Sequence, residues 1–217
     1  MEQAKACLDL SYSISDSLHH LNVKCLALDK LIEVEEQLAP YKALRYAKDL
    51  VKMYESMPNV SIYNKVAARL RLGENFFYVD SLQHALEEER KAYRMAMQVG
   101  DSNLLSYVRQ NLASTFEEMG EKDSCLYYAR LAYDLNAANR FSCLLTFASA
   151  YISVDSLNQA FSLLKQAMPK TAEDRYSVFY FQSQAAMKAH DFKSAKSFSD
   201  SAYHYLEDMY RIALQGK

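Results

Sequence analysis

Six small residues at a nearly constant interval constrain this chain more than anything else in it. Ala4, Ala43, Ala85, Cys125, Ala160 and Ala195 follow one another at 39, 42, 40, 35 and 35 residues. Around one of them lies the stretch 109–136, RQNLASTFEEMGEKDSCLYYARLAYDLN, which reads as two helices joined by a tight turn. Leu112, Ala113 and Phe116 share one face of the first helix, and Gly120 offers the positive φ that often ends a helix. Ser124 is a candidate cap for the second helix, where Cys125, Tyr128, Leu131, Ala132 and Leu135 form a stripe at helical spacing. Small side chains at Ala113, Cys125 and Ala132 let the two backbones approach closely. A hairpin of this kind cannot bury both faces alone, so it implies neighbours of the same type.

The same frame recurs. Leu72-Gly73, Phe76, Asp80, Ala85 and Ala92 fit it, as do Phe147-Ala148, Tyr151, Asp155, Ala160 and Ala167. Phe179, Ser183, His190, Ala195 and Ala202 fit more loosely. Ala43 marks another second helix, with Leu50 where the later small residue belongs, and Ala4 and Ser11 read as the second-helix pair of a repeat whose first helix is missing. A large-small pair, an aromatic, a turn residue and two small residues seven apart resemble the tetratricopeptide repeat, whose period is about 34 residues. The early tryptophan of that family is absent, and its late proline has an approximate counterpart at Pro169. The resemblance implies an all-α solenoid, a right-handed superhelix of antiparallel helix pairs. The chain has room for about five to six repeats and about eleven helices in a single domain over 1–217.

Composition agrees. Four glycines and three prolines in 217 residues favour long helices and short turns over a β-rich fold. The net charge of −2, with no long run of one sign, argues against attraction to nucleic acid or an anionic membrane. The longest nearly apolar run, 143–152, is too short to span a bilayer. Cys7, Cys25, Cys125 and Cys143 lack CxxC spacing and read as small buried thiols. The start, MEQAKACLDL, has no signal-peptide pattern and reads as the inside of a second helix, the beginning of a segment taken from a longer chain. The compartment is left open.

The remaining helices are expected over 2–14, 17–38 with Ser15-Asp16-Ser17 as its cap, 40–57 with Pro40 in the first turn, 60–79 and 81–98. Others follow over 138–153, 156–168 capped by Asp155-Ser156 and stopped by Pro169, 172–189 and 191–212. The run Glu87-Glu88-Glu89-Arg90-Lys91 reads as a solvated helical face with internal ion pairs, and His19-His20 as exposed polar residues.

No catalytic motif, phosphate loop or metal-ligand spacing is present, so the sequence points to no enzyme, no cofactor and no metal. In the resembled family the first helix of each repeat lines a concave groove. Carried over by register, that groove would present Arg71, Glu74, Phe77 and Tyr78, then Tyr107, Gln110, Asn111, Ser114 and Glu117, then Thr146 and Ser149, then Tyr180, Phe181, Gln184 and Lys188. Rings with amide, hydroxyl and charged groups suit an extended peptide or a partner helix. Asn111 stands where peptide-clamping members often carry asparagine, while Ser142 and Ser177 replace the lysines of a carboxylate clamp. The expectation is a non-enzymatic protein- or peptide-binding scaffold. The Asp-Ser turns at 80–81, 123–124 and 155–156 loosely resemble the sensory or interaction half of larger bacterial regulators. Two other readings are a small-molecule or glycan-sensing ectodomain, with a pocket lined by Tyr78, Tyr107 and Tyr180, and self-assembly through unfinished solenoid ends.

Overall fold

A computed structural model describes residues 2–135 and 137–215, with side chains over 5–135 and 137–213. Among the described residues there are eleven helices and no strand. In chain order they are α1 (Glu2–Ser17), α2 (Leu21–Leu38), α3 (Pro40–Ser56), α4 (Ile62–Tyr78), α5 (Leu82–Val99), α6 (Ser102–Glu118), α7 (Lys122–Asp134), α8 (Arg140–Ser153), α9 (Leu157–Leu164), α10 (Ala172–Lys188) and α11 (Phe192–Gln215). The chain divides into two compact units, Met1–Thr115 and Phe116–Lys217, where the sequence alone suggests one array.

In the first unit each helix from α1 to α5 packs on the next. Leu28, Ile32, Leu44, Leu50 and Leu72 form its core with Ala43, Ala47 and Ala68, and Tyr54 and Phe76 close the edges. In the second unit α7 packs on α8, α8 on α9, and α10 on α8, α9 and α11. Phe147 lies between Tyr133 and Tyr151, at 5.6 and 4.5 Å between ring centres. The small anchors Ala43, Ala85, Cys125 and Ala160 are completely buried, and Ala195 nearly so. That burial lets paired backbones close up, and Ser183, at a looser small position, donates to the Ala195 carbonyl at 3.1 Å. Ala4 and Asn136 lie outside the described side chains.

One turn recurs between paired helices. Asp80, Gly120, Asp155 and His190 all take positive φ, between 58° and 75°. At each, the N–H of the following residue reaches back to the carbonyl five residues earlier: Ser81 to Phe76, Glu121 to Phe116, Ser156 to Tyr151 (2.9 Å each) and Asp191 to Ala186 (3.0 Å). This bond satisfies a carbonyl that the helix end would otherwise leave open. His19 makes the same turn between α1 and α2.

Several local expectations need correction. Ser15 and Ser17 lie inside α1, which runs on to Ser17, because both hydroxyls bond back to carbonyls of their own helix. Ser124 lies inside α7, whose N-cap is Glu121. Ser81 and Ser156 occupy N-cap positions but make no side-chain capping bond. Capping is done instead by Ser61, which accepts from the Asn64 N–H, and by Thr171, which forms a reciprocal box with Asp174. Helix α9 stops at Leu164, ahead of Pro169, which leaves Ala167 in the following turn. Three cysteines are buried as expected, but Cys7 is exposed, because the face of α1 that carries it is not covered. Glu88 and Glu89, expected in solvent, are buried.

Candidate functional site

In the first unit, α4 and α6 are the first helices of consecutive pairs. Helical spacing brings Arg71, Glu74 and Tyr78 to one side of α4, and Tyr107, Asn111 and Ser114 to one side of α6. These residues line two adjoining hollows. One, about 280 Å³, has Arg71, Glu74, Tyr107 and Asn111 in its wall, with Asp29 and Tyr63. The other, about 240 Å³, has Glu74, Phe77, Tyr78, Asn111 and Ser114, with Glu89 and Thr115. Glu74 and Asn111 belong to both, and the Asn111 amide donates to Glu74 at 3.0 Å. Tyr78 and Tyr107 remain about half exposed, at 57% and 48%. Gln110, expected here too, is half-buried and lines neither hollow.

Arg71 stands among four carboxylates: Asp29 at 3.5 Å, Glu33 at 2.9 Å, Glu36 at 3.7 Å and Glu74 at 3.8 Å. Asn75 donates to Glu36 at 2.9 Å and to the Arg71 carbonyl at 2.8 Å, which ties the cluster to α4. Burial raises the pKa of Glu36, whereas the Lys30 ammonium holds Glu33 below the usual range. Arg71 therefore acts first as the counter-ion of this acidic group.

Glu89 is the residue sequence reasoning missed. It is 1% exposed, and its Oε1 accepts a bond from Thr115 Oγ1 at 2.8 Å. Its other oxygen, Oε2, has no hydrogen-bond partner. Burial pushes its pKa up to about 8, helped by the nearby Glu74 charge. Room for it comes from Gly73: a Cβ there would lie 3.0 Å from Glu89 Cγ. The neighbouring Glu88 is instead paired, with Arg69 at 2.6 Å and Lys91 at 2.5 Å. A usable signal was present, since Ala85, Glu89 and Ala92 share one helical face at i, i+4 and i+7. The buried alanines on that face required Glu89 to be buried with them.

The second unit places the rest. Ser149 donates to Glu117 at 2.7 Å, and burial raises the Glu117 pKa. Thr146 bonds back to the Ser142 carbonyl at 3.2 Å. Tyr180 is 44% exposed, stacks on Tyr176 at 6.1 Å and meets Phe181 edge-on at 5.4 Å. Gln184 is exposed. Lys188 caps the end of α8, reaching the Ile152 carbonyl at 2.6 Å, the Ser153 carbonyl at 3.2 Å and the Asp155 carboxylate at 2.9 Å. Of the three tyrosines of the small-molecule reading, Tyr78 and Tyr107 line different, adjoining hollows of the first unit, and Tyr180 lies in the second unit. A larger hollow, about 610 Å³, opens at the loop between α3 and α4, but its lining, including Leu21, Tyr54 and Asn64, holds no charged group.

No family model and no curated protein matches the sequence. Solved structures do. BtubC (BKLC) from P. vanneervenii superposes with a TM-score of 0.76 at 14% identity, over 96% of this chain and 92% of its own. The TPR-like repeats of a putative kinesin light chain from Podosopora anserina give 0.68 at 13% identity, over 85% of this chain and 95% of theirs. The fold is that of the tetratricopeptide repeat. YrrB, described as a tetratricopeptide-repeat protein with an unusual peptide-binding site, gives 0.50 at 14% identity, over 95% of this chain and 98% of its own. At such identities the likeness carries the fold alone. Tetratricopeptide-repeat register accounts for the buried small anchors, the recurring turn and the placement of α4 and α6 as first helices.

Proposed function

We propose that the chain is a non-enzymatic module that binds an extended peptide segment of a partner protein across the α4 and α6 face of its first unit. The observation that carries this reading is the pair of adjoining hollows walled by Glu74, Tyr78, Tyr107 and Asn111. Half-exposed rings offer contact area at small entropic cost, and amide and carboxylate groups beside them can pair with a peptide main chain. A peptide-binding relative of the same fold, YrrB, lends support. In this reading the chain is the interaction or sensory part of a regulatory protein. The test is selection from a random peptide display library by wild type, with counter-selection by Tyr107→Ala/Asn111→Ala after circular dichroism shows equal helicity. Peptides retained by wild type and lost by the variant support the reading. Equal retention by both contradicts it.

Self-association is a second reading, favoured by one observation. Leu10, Ile14, Leu18 and Val23 are each about half exposed or more, and they line a hollow of about 400 Å³ along α1 and the start of α2. Light scattering on the purified chain tests it: a concentration-dependent dimer abolished by Leu10→Lys/Leu18→Lys supports this reading, and a monomer at all concentrations removes it.

A further inference from the structure

The hollow of about 240 Å³ has a chemistry more specific than its neighbour's. Its polar wall carries two carboxyl side chains. Glu89 lines it, on a side chain that is 1% exposed and has one oxygen with no partner. Glu74 presents a second carboxylate. Two of the donors beside them are already engaged: the Thr115 hydroxyl gives its only proton to Glu89, and the Asn111 amide donates to Glu74. Phe77 and Tyr78 complete the wall, meeting edge to face at 6.1 Å. The protein fills the adjoining acidic cluster with its own guanidinium, that of Arg71. No cationic side chain among the described residues pairs with Glu89. Two carboxyl groups, ring faces and a buried Glu89 oxygen without a partner together describe a receptor for a cation.

We infer that this hollow is a specificity pocket for a lysine or arginine side chain of the bound peptide, with Glu89 as its buried counter-charge and Glu74 at its edge. The inference rests on the peptide-binding reading above and deepens it. Entry of an ammonium or guanidinium group would supply the partner that Glu89 Oε2 lacks, and the aliphatic stem would lie along Phe77 and Tyr78. The raised pKa of Glu89 adds a consequence: the empty pocket holds the carboxyl protonated at neutral pH, so an arriving cation displaces a proton to solvent. Gly73 is part of the same construction, since a Cβ there would press on Glu89 Cγ at 3.0 Å.

The experiment is carbon-detected NMR on protein labelled at the glutamate carboxyls. It is titrated at neutral pH with capped alanine pentapeptides whose central residue is lysine, arginine or norleucine, and separately with n-butylammonium. The lysine and arginine peptides should move the Glu89 carboxyl signal to its ionised position, and the norleucine peptide should not. Glu89→Gln keeps the shape and the Thr115 bond, and should weaken the cationic peptides by about tenfold or more. Glu74→Gln, at the more exposed edge, should weaken them less and guards against misfolding of the first variant. Three results overturn the inference: a Glu89 signal unmoved by the cationic peptides, equal binding of the norleucine peptide, or undiminished binding to Glu89→Gln. Equal binding of norleucine and lysine peptides on α4 and α6 would sink the cation pocket but leave the peptide groove standing. n-Butylammonium, the lysine side chain alone, should move the Glu89 signal at higher concentration than the lysine peptide; binding as tight as the peptide's would overturn the peptide as the source of the cation.

Discussion

At the scale of single residues, Glu89 and Gly73 are one feature. The folded pKa of Glu89 lies above its unfolded value, so the native state holds the extra proton between the two. Stability is therefore fully present at pH below about 4.5 and falls as pH rises towards about 8, by at most about 1.4 kcal/mol per pH unit from this group. Urea titrations across that window should show wild type losing stability relative to Glu89→Gln as pH rises, with the smallest difference at about pH 4. Parallel curves would contradict the burial of an unpaired carboxyl. Gly73→Ala has a second signature. In wild type the new Cβ would meet Glu89 Cγ at 3.0 Å, and the clash should outweigh the helix-propensity gain, destabilising by about 1 kcal/mol or more. In a Glu89→Ala background the same change should stabilise by up to about 1 kcal/mol. A cycle with no coupling would show that the glycine is not there for Glu89.

At the scale of elements, the helices were legible because most pairs carry two small residues seven apart and a turn residue ahead of them. Ala85 and Ala92, or Cys125 and Ala132, are small for a reason that close packing dictates, and the structure buries all four. The turns were legible at Gly120, where only the backbone matters, and at Asp80 and Asp155 by register with it. Caps were less legible. Ser81, Ser124 and Ser156 look alike in sequence, but the turn's own backbone bonds bring the chain into the next helix without a side-chain cap. Of the expected site, the α4 and α6 faces could be read from register. The role of Lys188 as a helix cap could not, because it depends on how α10 meets the end of α8. The recurring turn makes a prediction of its own. His190 holds φ of 58° without being glycine, so His190→Gly should stabilise by up to about 1 kcal/mol. Gly120→Ala should cost about as much. Shifts in urea midpoint of the opposite signs would refute the shared geometry.

At the scale of the whole molecule, a chain with 25 basic and 27 acidic residues is nearly neutral, yet its charges are not evenly placed. Asp29, Glu33, Glu36 and Glu74 collect around Arg71 on the first unit, and Glu89 shares a hollow with Glu74, which favours cationic over acidic partners there. Raising the salt concentration should weaken cationic peptides more than neutral ones. Among the described residues no helix is long and apolar enough to cross a membrane. The central claim is that peptide is held on α4 and α6, and photo-cross-linking tests it most directly. A display-selected peptide carrying a benzophenone would be irradiated on the full chain and the attachment sites read by mass spectrometry. The account predicts attachment within 62–78 and 102–118, abolished by Tyr107→Ala/Asn111→Ala. Attachment to the exposed apolar residues of α1 or α11, unchanged in that variant, would contradict it.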